Sequence, residues 1–77
     1  MLTQEMITAL NAKYQAEIAA ARANLLNYLQ NPVAVGEHPD LVSEIDKLIS
    51  AIATAEGKLT TLTTLVNALN ESGDNRK

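Results

Sequence analysis

His38 is the chain's only histidine, so it is the one side chain that titrates near neutral pH without being perturbed. Glu37 and Asp40 flank it within NPVAVGEHPD, residues 31–40, a grouping that in principle holds a metal ion or passes a proton. Neighbouring loop residues seldom point at one ion, however, and no second histidine completes a ligand set. His38 is therefore read as capping or orienting the helix that follows it. Five further carboxylates, Glu5, Glu17, Glu44, Asp46 and Glu56, invite comparison with the metal sites of helical bundles. Those sites need inward-facing Glu-x-x-His pairs, and the sequence has none. Cysteine is absent, which removes disulfides, thiolate ligands and thiol nucleophiles. No glycine-rich phosphate loop occurs, and no Ser/His/Asp set has a reason to converge. The expectation is a non-enzymatic protein with no metal and no cofactor.

The chain that would position these groups is 77 residues long, one domain of a size at which a single core is marginally stable. Its aromatic content is two tyrosines, so the core must be made of Leu, Ile, Val and Ala. Without cross-links or large rings, self-association is the remaining common source of buried area. A net charge of −3, with six basic residues spread thinly, gives no basic stripe, and nucleic acid is not an expected partner. The most apolar run, Ile18 to Ala21, is far shorter than the roughly 20 residues of a membrane span. The N-terminus lacks the basic flank and apolar block of a signal peptide. A cytoplasmic protein with no membrane partner is expected.

Leu2 to Gln30 contains neither proline nor glycine and is rich in alanine, which favours helix. Ile7, Leu10, Tyr14, Ile18, Ala21, Leu25 and Leu29 recur at steps of three and four that repeat every eleven residues, the spacing of a nearly straight helix. A second helix is predicted from His38 or Pro39 to about residue 71, since proline suits a first helical position and Asp40 and Glu44 favour the positive end of the helix dipole. Its row runs Leu41, Ile45, Leu48, Ile52, Ala55, Leu59, Leu62, Val66 and Leu69, an unbroken alternation of four and three. Residues 72–77 read as a polar tail.

Folding the chain back at 31–38 pairs residues whose numbers sum to about 69 or 70, and nearly every layer is then apolar on both sides. Large meets small at Tyr14/Ala55 and Ala21/Leu48, as dense packing requires. The predicted fold is an all-α antiparallel helical hairpin, about 45 Å long at 1.5 Å per residue, occupying residues 1–71. Its expected core is Ile7, Leu10, Tyr14, Ile18, Leu25, Ile45, Leu48, Ile52, Leu59 and Leu62. Leu2, Met6, Leu26, Tyr28, Val42, Ile49 and Leu65 are left over. With an alanine stripe at 9, 12, 16, 20 and 23, they are expected to form a second contact face, and all but Tyr28 are candidate dimer or partner contacts. The sites beside the seam of the second helix are of mixed character, which suits two hairpins joined as a four-helix dimer better than a two-stranded zipper. In the bend, Val33, Val35, Glu37 and His38 are the candidates for a recognition loop.

The segment NPVAVGEHPDLVSEIDKLISAIATAEGKL, residues 31–59, resembles loop-and-helix segments in small proteins of tailed phages, especially T4-like phages of cyanobacteria. The likeness lies in the N-P-V-x-x-G-E-H-P-D-L-V run and the heptads after it. It implies a viral origin, with host cytoplasm as the place of action, and supplies no site. The functional expectation is a small adaptor or inhibitor that binds a host or viral protein. The alternative is a structural or assembly component that works by self-association.

Overall fold

In the computed structural model the described residues are 2–31 and 40–74. They form two helices, α1 (Leu2–Gln30) and α2 (Leu41–Asp74), packed antiparallel as the all-α hairpin anticipated from the two apolar rows. No strand occurs among the described residues.

α1 begins with Glu5 in its first turn, where the helix dipole favours a negative charge. It is prolonged by the Asn31 backbone N–H, which donates to the Asn27 carbonyl at 2.8 Å. In α2 the Glu44 N–H donates to the Asp40 carbonyl at 2.9 Å. Asp40 is thus the N-cap, a position its short carboxylate suits. The described helix starts at Leu41, and the expected start at His38 or Pro39 lies outside the described residues. The other end differs from expectation. α2 continues past Glu71 through Gly73 to Asp74, because one glycine at a helix end costs only about 1 kcal/mol and does not by itself stop the ladder. Of the expected polar tail, 75–77 lie outside the described residues.

Shared grooves show which stretches of the two helices meet. Ala21 lines one with Leu48 and Ala55, Tyr14 another with Lys58 and Thr61, and Ile7 a third with Leu59 and Leu62. Groove partners have numbers that sum to between 66 and 76, a range that includes the pairing obtained by laying one apolar row on the other. Ala21 and Ala55 are the buried apolar residues, at 6% and 1% exposure. They sit where the backbones approach, and a methyl group is small enough to be covered completely. Ile7, Tyr14, Ile18, Leu25, Ile45, Leu48, Ile52, Leu59 and Leu62 are half-buried, because one neighbouring helix covers only one side of a long side chain. Leu10, expected in the core, is instead 39% exposed on the rim of the seam.

Leu29 and Leu69, which continue the same rows, are 57% and 59% exposed and stand at the two ends of the seam. Every side-chain hydrogen bond and ion pair of the described residues stays within one helix, at a spacing of three or four: Lys13–Glu17, Lys47–Glu44, Gln15–Asn11, Asn31–Asn27 and Thr64–Thr60. Apolar contact therefore holds the seam. The result is a rod of 63 × 18 × 15 Å with a radius of gyration of 17.8 Å, against about 11–12 Å for a compact chain of this length.

Candidate interaction surface

Two rows flank the apolar seam of α2, each repeating every seven residues. One is Glu44, Ala51, Lys58, Leu65; the other is Val42, Ile49, Glu56, Thr63. They lie on opposite sides of the hairpin. Ala51 lines a groove with Glu17, and Lys58 and Leu65 line one with Leu10 and Tyr14. Thr63 lines the groove on the other side, with Ile7 and Asn11.

The two rows differ in where their large apolar residues lie. The first carries charge at Glu44 and Lys58 and is apolar at its open end, at Leu65, whereas the second is apolar near the bend, at Val42 and Ile49, and polar toward the open end. α1 follows suit. Met6 stands eleven residues, three helical turns, before Glu17, and so shares the side of Leu10 and Leu65. Leu26 comes one turn after Arg22, which is itself three turns after Asn11, on the side of Val42 and Ile49.

The exposed apolar residues therefore form two patches. The open-end patch is Met6 (58% exposed), Leu10 and Leu65 (57%), with Leu69 beside it. The bend-end patch is Leu26 (44%), Val42 (82%) and Ile49 (51%), with Leu29 beside it. At 1.5 Å per residue their centres are about 30 Å apart along the rod. Scattered exposed leucines are ordinary, but eight large apolar side chains left open in a chain this short are a sign of a binding surface.

This geometry corrects the expectation of a single second face. Met6 and Leu65 lie on one side, and Leu26, Val42 and Ile49 on the other. Neither group runs along the alanine stripe, whose members at 9, 12, 16, 20 and 23 are exposed. Tyr28, one of the leftover residues, is half-buried. The side chain of Leu2, and the loop residues Val33, Val35, Glu37 and His38, lie outside the described residues. Leu29 and Leu69 belong to the core rows by period alone. The signal for their exposure is position, one at the last turn of α1 and the other beyond the level at which α1 begins.

Charge is concentrated on the open-end side. The Lys13 ammonium donates to Glu17 Oε2 at 2.6 Å. Hydrogen bonding to Lys13 lowers the Glu17 pKa below the usual carboxylate range, and the charges of Lys13 and Lys58 add to the effect. The same hydrogen bond, with the charge of Glu17, raises the Lys13 pKa. The Lys13 and Lys58 ammonium groups both approach the Tyr14 ring, 5.9 and 5.5 Å from its centroid. A second ion pair, Lys47 Nζ to Glu44 Oε2 at 3.1 Å, marks the bend end of the same side.

Among the described residues no three His, Cys, Asp or Glu side chains are grouped to hold a metal ion. No helix among them is long and apolar enough to cross a membrane. No protein-family model matches the chain, and no curated protein or solved structure matches it significantly.

Proposed function

We propose that this chain is a non-enzymatic protein–protein interaction module, a helical hairpin that acts by docking its exposed flanks on other helices. One observation carries the reading: eight large apolar side chains stand open while the only buried apolar residues described are two alanines. The exposed surface of the chain is 5949 Å², against roughly 4,600 Å² for a compact monomer of its mass. A fold of this kind gains stability from whatever covers it. The form suggested by the likeness over residues 31–59 is a phage-encoded adaptor or inhibitor, acting in the host cytoplasm on a host or viral protein. The low burial favours a second form, a structural component that associates with itself.

Site-directed crosslinking tests the reading. A photo-reactive side chain is placed at Val42 or Leu65, and at Ala12 or Ala23 as controls, in cells that express the chain. Protein adducts of defined mass from Val42 or Leu65, and not from the alanines, are expected. Adducts with another protein identify an adaptor, and adducts between copies identify an assembly component. No protein adduct from either position would rule out the interaction reading.

A further inference from the structure

We infer that the partner of this surface is a second copy of the chain, docked antiparallel with the open-end patch of one hairpin on the bend-end patch of the next. The inference rests on the interaction-module reading and names its partner.

Two separate exposed apolar patches, on opposite sides and at opposite ends of the rod, point to two contacts for each copy. One contact covers one patch and leaves the other in water, whereas a contact on each side covers both.

The distribution of side chains decides which sides meet. If the side bearing Leu10 and Leu65 paired antiparallel with its own copy, those leucines would cover Glu44 and Lys47 of the second chain. If it paired parallel with its own copy, Lys13 and Lys58 would stand against the same two lysines, and the bend-end patch would stay bare in both chains. Pairing unlike sides antiparallel avoids both faults. Leu10 and Leu65 then meet Ile49 and Val42, while the charged end of one side meets the uncharged Asn11, Thr63 and Asn67 end of the other. Such a contact is head-to-tail in kind, so each copy keeps an unused patch and growth continues past two chains.

Sedimentation of the full chain over a concentration series tests this, with Leu65→Glu disabling one patch, Ile49→Glu the other and Ala12→Glu as a control. The wild type and the control are expected to grow beyond two chains. Each patch variant alone is expected to lose self-association about tenfold or more. Mixed in equal amounts, the two variants are expected to form a one-to-one heterodimer, since each retains the patch that the other lacks. If either variant unfolds alone, mixing should restore its far-UV helical signal. The proposal is overturned by a wild type that stays monomeric or stops at a dimer, by a variant that still dimerises alone, or by a mixture that forms no heterodimer. A monomeric wild type leaves the interaction reading to the crosslinking result.

Discussion

Lys58 of α2 reaches over the seam to place its ammonium 5.5 Å from the centre of the Tyr14 ring of α1. Lys13 approaches the same ring from within α1 at 5.9 Å, and its other neighbour is Glu17. Tyr14 is thus the meeting point of the two helices' charges, in a seam otherwise made of apolar contacts.

Removing the Lys58 charge while keeping its stem, as Lys58→Met, should weaken the hairpin by about 0.5–1 kcal/mol. A double-mutant cycle with Tyr14→Leu should recover most of that as coupling between the two positions. Additive losses in urea unfolding would show that the ammonium contributes nothing through the ring.

Ala55 is 1% exposed, so a larger side chain there has no room without parting the helices. Ala55→Leu should cost about 1–3 kcal/mol and lower the Tm by roughly 4–8 °C per kcal/mol. Ala53→Leu, two residues away on an exposed position, should change stability by less than about 0.5 kcal/mol. Equal melting of the two variants would mean that the helices do not meet closely at Ala55.

Gly57 lies in the interior of α2, its φ is not positive, and an added methyl group would meet nothing within 4 Å. Neither backbone nor space demands glycine. Gly57→Ala should therefore stabilise the chain by about 0.5–1 kcal/mol, read as a higher urea midpoint at unchanged slope. A lower midpoint would contradict the open space seen there.

The Lys13–Glu17 pair gives stability a defined dependence on pH. The Glu17 pKa is lowered in the fold, so its contribution is present above the unfolded value and is lost as pH falls through the folded one. The Lys13 pKa is raised, so its contribution is present below the unfolded value and is lost as pH rises through the folded one. Lys13→Gln should therefore melt below wild type through the neutral range and converge with it at both extremes. Added salt should shrink the gap, because the pair is exposed. A gap that does not vary with pH would assign the effect to helix propensity instead.

Periodicity makes most of the hairpin legible in the sequence. Steps of three and four identify the residues facing the seam, and laying one row on the other sets Ala21 opposite Leu48, with which it shares a groove. Periodicity says nothing of where the seam ends, and Leu29 and Leu69 belong to the rows yet stand open at its two ends. It also separates seam from remainder without saying which leftover residues share a side. That information is present in the seven-residue spacing of Val42 from Ile49 and of Lys58 from Leu65, but it becomes a surface only once both helices are placed. Asp40 suggests dipole chemistry by its charge, whereas its carbonyl, bonded by Glu44, marks the start of α2.

The two buried alanines also act as the wards of a lock. No hydrogen bond or ion pair of the described side chains ties one helix to the other, so apart from Lys58 over the Tyr14 ring nothing polar opposes α2 sliding along α1 by one heptad. The next heptad position would look acceptable to a count of apolar residues. It would, however, bring Leu48 or Leu62 to the place that Ala55 now fills, and Tyr14 or Tyr28 to the place that Ala21 fills, where only a methyl group has room. Overpacking at these sites disfavours the slipped pairing by about 1–3 kcal/mol. A pair of methyl groups thus gives an otherwise repetitive seam a single alignment, and the height of every residue on either flank follows from it.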